Sequence, residues 1–180
     1  MKKVVLFPLL FTIIVLLSIV QSFAQSDEKK EELKTESAEA KGAFLKEDTG
    51  MAKFFNDSYG YAIFPNVGKG GLGVGGAAGN GVVYEQGNII GFAKLTQVSI
   101  GFQAGGQAYR EVIFFETADE LGRFKANKIE FSAQVSAVAA ASGASANAKY
   151  IEGVAVFTMA KGGLMYEASV GGQKFKFNKE

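Results

Sequence analysis

The sequence predicts an α+β, mainly β fold: a glycine-rich antiparallel domain, barrel-like or a sandwich, with helices at its N-terminal end. Three observations carry this expectation. Residues 60–106 hold 14 of the 23 glycines, interleaved with short β-prone runs. Val112-Ile113-Phe114-Phe115 is apolar at every position, as a central strand covered on both sides would be. Residues 26–47 are instead mostly Glu, Lys and Ala, with Leu33, Ala40 and Phe44 spaced by seven and four along a thin helical seam.

The chain opens on Lys2 and Lys3, an apolar run from Val4 to Val20, and Ser22-Phe23-Ala24, which sets small residues at the −3 and −1 positions of a cleavage site. Residues 1–24 are therefore expected to be a cleaved signal peptide, 25–58 an N-terminal helical segment and 59–180 a glycine-rich β domain, the last two forming one globular unit. After the first helix, Asp48 or Thr49 can cap a second, short one whose Met51, Phe54 and Phe55 press on the domain. Tyr61-Ala62-Ile63-Phe64, Gly81-Val82-Val83-Tyr84 and Asn88-Ile89-Ile90-Gly91-Phe92 read as strands, with Gln86-Gly87-Asn88 a hairpin turn. Thr117 caps a helix to about Ala126, with Leu121 and Phe124 inward. Phe131 to Ala139 alternates with period two and reads as a strand of small side chains. Gly153 to Phe157 and Leu164 to Val170 follow as strands, and Lys174 to Phe177 alternates like an edge strand.

The two ends of the β region echo each other. Gly60-Tyr61-Ala62-Ile63-Phe64 precedes Lys69-Gly70-Gly71-Leu72, and Gly153-Val154-Ala155-Val156-Phe157 precedes Lys161-Gly162-Gly163-Leu164. The pattern suggests two related strand-turn-strand units with lysine at each turn.

Composition excludes several functions. Without Lys2 and Lys3 the mature chain has 17 basic and 18 acidic residues, a balance that argues against a nucleic-acid partner. The chain has no histidine and no cysteine, which removes the usual general base, the thiol nucleophile and almost every zinc ligand set. No cofactor or metal is expected. Gly71-x-Gly73-x-x-Gly76 matches a dinucleotide fingerprint literally, but Ala77 to Tyr84 carries strand signals where that motif needs a helix N-terminus. Glu85, Glu111, Glu130, Glu152 and Glu167 stand singly along the β region and read as solvated strand faces, so no enzyme is expected.

The remaining candidates are cationic. Lys69 with Gly70 and Gly71, and Lys161 with Gly162 and Gly163, pair a positive charge with backbone donors that could meet an anionic headgroup. Arg123, Lys125 and Lys128 form a second basic cluster, worth ~1 kcal/mol per charge near an anionic surface.

Tyr59 to Gly71 (Tyr-Gly-Tyr-Ala-Ile-Phe-Pro-Asn-Val-Gly-Lys-Gly-Gly) and Lys161 to Gly172 (Lys-Gly-Gly-Leu-Met-Tyr-Glu-Ala-Ser-Val-Gly-Gly) resemble the signature stretches of the SYLF lipid-binding domain family, over roughly residues 30 to 177. The resemblance implies binding of phosphoinositides or related anionic lipids without catalysis; some fungal members bind actin, an implausible partner for an exported chain. Two features depart from the family pattern. Ala141 to Ala148 lacks the proline and arginine of the family's Gly-Pro-x-Gly-Arg turn, and residues 25–58 hold six basic and nine acidic residues where eukaryotic members carry a basic helix. The combined expectation is a monomer, periplasmic or secreted, that binds an anionic or amphipathic lipid. The alternative is an envelope protein-interaction or structural factor that pairs through the Lys174–Phe177 edge.

Overall fold

The structure is a computed structural model that describes residues 6–72, 74–100, 107–129, 131, 137–161 and 170–180; side chains are described from Asp27 onward except at 71, 72, 74, 99 and 100. Helix α1 (Leu6–Glu47) supplies residues to two compact units, 1–35 and 36–180. In the first unit, Lys30 pairs with Asp27 at 3.2 Å and Lys34 with Glu31 at 2.9 Å, one turn apart on a solvated face.

The second unit contains the end of α1, then α2 (Met51–Asp57), β1 (Gly60–Leu72), β2 (Val74–Glu85), β3 (Asn88–Ile100), β4 (Gln107–Phe115), α3 (Ala118–Lys125), β5 (Val138–Ala139), β6 (Val154–Ala160) and β7 (Gln173–Lys179). All seven strands join one sheet in the order β5-β6-β4-β1-β2-β3-β7. The mainly β, α+β class is as expected, but the sheet is neither a closed barrel nor a two-sheet sandwich. It is also not wholly antiparallel, because β5 runs parallel to β6. The 14 residues between those two strands make a crossover through a 3-10 turn at Ala144–Asn147, which a hairpin could not provide.

The sheet curls strongly. Strands β4 and β7 are four places apart, about 19 Å in a flat sheet at ~4.8 Å per strand, yet Gln173 Nε2 lies 2.9 Å from Glu111 Oε2. The Phe64 and Phe175 rings, three strands apart, are 5.9 Å between centroids. Inside the curl sits one core, built on Phe64, Val67, Ile113 and Phe115 and covered by Leu121 and Phe124 of α3 and by Phe131 and Phe175. On the other face Tyr61, Ile63, Val112, Phe114 and Phe157 meet Ala40 and Phe44 of α1 and Met51 and Phe55 of α2. The run Val112 to Phe115 is fully buried because alternate residues feed the two cores.

Local chemistry explains the connections. Gln86 and Gly87 both take positive φ (49° and 81°), the twist a two-residue hairpin needs. Thr117 Oγ1 accepts from Asp119 N at 3.2 Å and caps α3 as expected. Asp48 does not cap α2, whose N-cap is Gly50; its carboxylate accepts from Gly50 N at 3.0 Å and from Ser145 N at 2.7 Å, tying the helix junction to the 3-10 turn. The strands expected over 131–139 and 164–170 fall largely outside the described residues, apart from β5 and isolated flanking positions.

Pro65 lacks an N–H, and β1 absorbs it as a bulge: Ile63 to Asn66 on β1 span Val82 to Asn80 on β2, and Phe64 to Val67 span Glu111 to Tyr109 on β4. Strand β6 has no such bulge against β4. The echo between β1 and β6 is therefore not a packing repeat. Gly60 and Val154 both sit opposite Phe115, so the matched residues are one rung out of step, and Phe64 and Phe157 enter different cores.

Phe114 contacts the rings of Phe54, Phe55, Tyr61 and Phe157. Phe114→Ala is expected to lower unfolding free energy by about 3–5 kcal/mol and Val98→Ala, at a site 77% exposed, by less than about 0.5 kcal/mol, both read by urea denaturation.

Candidate functional site

The expected turn at Lys69-Gly70-Gly71 is a correction: all three residues lie within β1. Lys69 faces Ala77 on one side and Gln107 on the other, and Gly70 and Gly71 pair with Gly76 and Gly75. Ladder hydrogen bonds hold these glycines extended, and the chain reverses only beyond Leu72, whose partner is Val74. Lys161 directly follows β6; its N–H donates to Ala108 O at 2.9 Å. Gly162 and Gly163 lie outside the described residues.

Both lysines are at the same end of the sheet, since Ala108 also faces Gly68, the residue before Lys69. They project to opposite faces. The bulge at Pro65 leaves Lys69 on the Val67 face, whereas Lys161 Nζ donates to Asn66 Oδ1 on the α1 face. Asn66 Nδ2 in turn donates to Glu36 Oε1 at 2.8 Å, so a carboxylate from α1 stands one residue removed from the Lys161 ammonium. Lys69 has no charged partner among the described residues. At this end Leu72 pairs with Val74 and Val74 with Ile100, and Val98 nearby is exposed.

The second basic cluster does not join the first. Arg123 and Lys125 occupy the last turn of α3, whose Leu121 packs against Gly60 at the opposite end of β1. Lys69 lies nine residue steps beyond Gly60, about 30 Å at ~3.3 Å per residue. Lys125 is paired with Glu85 at 3.5 Å, Arg123 helps hold the Glu120 carboxyl down beside the stronger Thr117 bond, and Lys128 is exposed.

Glu111 reverses the reading of scattered carboxylates as solvated. It is fully buried inside the curl, where Gln173 Nε2 donates to its Oε2 and to Tyr109 Oη at 3.4 Å. Burial pushes the Glu111 carboxyl up to about 8, against the opposing bond from Gln173, and burial with the nearby Glu111 charge pushes the Tyr109 hydroxyl up as well. Glu111 Oε1, Gln173 Oε1 and Thr158 Oγ1 have no hydrogen-bond partner among the described residues. This cluster is a polar clasp between β4 and β7. Of the other carboxylates, Glu152 is an exposed turn residue at φ 53°, and Glu130 and Glu167 lie outside the described residues.

Among the described strands β7 is an edge, as expected for Lys174 to Phe177. Its free side is partly covered: Phe177 N donates to Asn127 Oδ1 at 2.6 Å, and Phe131 N donates to Gln173 O at 3.3 Å.

Comparison with known proteins bears on the whole arrangement. The family model Ysc84, described as "Las17-binding protein actin regulator", matches residues 96–180. The match to this SYLF family model takes in just under half of the chain. The resemblance is borne out over this segment, which contains the second motif with Lys161, and also Glu111, whereas the first motif with Lys69 precedes it. The chain is also 28% identical over 144 residues to Beta cell expansion factor A of Aeromonas veronii, an alignment that covers 74% of this chain and 55% of the relative. It thus spans about half the length of that curated relative. Within the matched segment the residues of the clasp had no motif to announce them. The only signal was the position of Glu111 directly before the doubly apolar run.

The clasp makes stability pH-dependent. The folded pKa of Glu111 is raised above its ordinary 4.5, so its contribution is complete below that value and is lost as pH rises toward about 8. Glu111→Gln is expected to flatten the decline of unfolding free energy between pH 5 and 8, by up to about 1.4 kcal/mol per pH unit, as measured by urea denaturation across that range.

Proposed function

We propose that the protein is a non-enzymatic, exported envelope component that docks on anionic membrane surfaces through the sheet end carrying Lys69 and Lys161. One coincidence carries this reading: two lysines, the paired glycines Gly70 and Gly71, and exposed Val98 occupy a single end of the fold. Two basic residues near an anionic surface contribute ~1 kcal/mol each. An inserted valine adds ~1.5 kcal/mol or more, so charge and apolar contact together are sufficient where either alone is weak.

Charge distribution supports the same polarity. Residues 59–180 hold eleven basic and nine acidic residues, whereas 25–58 are net −3. Arg123 and Lys125 belong to α3, whose Leu121 packs on Gly60 at the other end of β1, and Lys125 is already neutralised by Glu85. Edge pairing at Lys174–Phe177 is less favoured because Asn127 and Phe131 occupy part of that edge. The actin regulation named for the family model is not carried over, since export would separate the chain from cytoplasmic filaments.

Co-sedimentation with phosphatidylglycerol and phosphatidylcholine vesicles tests the proposal. Binding is expected to the first, to fall with salt, and to weaken about 30-fold in the Lys69→Ala/Lys161→Ala double variant, from ~1 kcal/mol per lysine. Triple replacement of Arg123, Lys125 and Lys128 by Ala is expected to leave it nearly unchanged. Equal sedimentation with both vesicle types, unaffected by the double variant, overturns the proposal.

A further inference from the structure

The end of the sheet remote from Lys69 and Lys161 carries a cleft of about 560 Å³ between α1, the end of α2 and the Gln86–Gly87 turn. That volume lies within the ~300–1,000 Å³ usual for small-molecule sites. Lys41 Nζ donates to Tyr61 Oη at 3.0 Å and stands 4.8 and 5.0 Å from the ring centroids of Phe55 and Tyr61. The aromatic contacts hold the ammonium in place, and an ammonium with one hydrogen on a hydroxyl keeps two more donors.

Ser58 lines the same cleft. The residue is nine-tenths buried, and its Oγ has no hydrogen-bond partner among the described residues. A buried hydroxyl left unpaired is destabilising, so a bound oxygen that pairs with it is favoured. The rim has the opposite charge to Lys41. Glu116 and Asp57 both line the cleft. Asp57 also pairs with Lys53, whereas Glu116 has no cationic partner among the described residues.

A simple anion would be drawn to Lys41 but repelled by two carboxylates, and a simple cation would meet the reverse. Both charges are satisfied together only by a molecule carrying both. We propose that this cleft binds a small zwitterion, its oxyanion on Lys41 and Ser58 and its ammonium against Glu116 and the Tyr59 ring. The chemistry is shared by free zwitterions and by zwitterionic lipid headgroups. The length of β1, about 30 Å from Gly60 to Lys69 at ~3.3 Å per residue, holds the cleft clear of a membrane docked at the other end, which favours the free form.

Calorimetric titration of the full chain with O-phosphoethanolamine, inorganic phosphate and ethanolamine tests the assignment. O-phosphoethanolamine is expected to bind at least tenfold more tightly than either half alone, and Lys41→Met and Glu116→Gln each to weaken it at least tenfold. Glu116 is exposed, so its variant keeps the test decisive if Lys41→Met perturbs the docking of α1. The Lys69→Ala/Lys161→Ala variant is expected to bind the zwitterion normally, which separates this site from the membrane surface. Similar affinity for all three probes, indifference to both cleft substitutions, or binding only to phosphatidylethanolamine vesicles and not to the free compound overturns the inference.

Discussion

A strand with apolar side chains on both faces must be covered on both faces, and β4 imposes that demand at the centre of the molecule. Val112 and Phe114 require one layer and Ile113 and Phe115 another. The helices α1 and α2 provide the first. The second comes from the sheet itself, which curls until Phe175 of β7 reaches Phe64 of β1, with α3 closing the space. A flat sheet would leave that second face wet, at ~25 cal/mol per Å² of apolar area.

Curling brings a polar problem with it. Glu111 continues β4 on the inward side, and the curl encloses it with Tyr109 and Thr158. Gln173 offsets part of the cost by donating to both Glu111 and Tyr109, so the clasp that joins β4 to β7 is also where most of the unpaired buried oxygens in the described core collect. Such a cluster tolerates little change in charge, because an ionised Glu111 is buried beside Tyr109.

The bulge at Pro65 has consequences out of proportion to its size. One extra residue in β1 turns Asn66 toward α1, where it links Glu36 to Lys161, and turns Lys69 the other way. The two lysines that look equivalent in the sequence thereby become chemically different, one tied into a side-chain relay and one with no charged partner among the described residues. Their common end of the sheet survives this difference, and it is the shared location, not the shared motif, that supports a docking role.

Much of this was legible in the residues alone: the mainly β class, the doubly apolar strand, the Gln86-Gly87 hairpin, the Thr117 cap and the SYLF motifs all rest on local spacing or local conformation. Glycine misled where it pairs with glycine, since Gly70 and Gly71 can lie in a ladder as readily as in a turn, and only the partners Gly75 and Gly76 decide. The burial of Glu111 and the meeting of Lys41, Ser58 and Glu116 depend on curvature and on contacts between segments distant in the chain. Local patterns record which faces are apolar; they do not record how far a sheet bends or which charges the bend brings together.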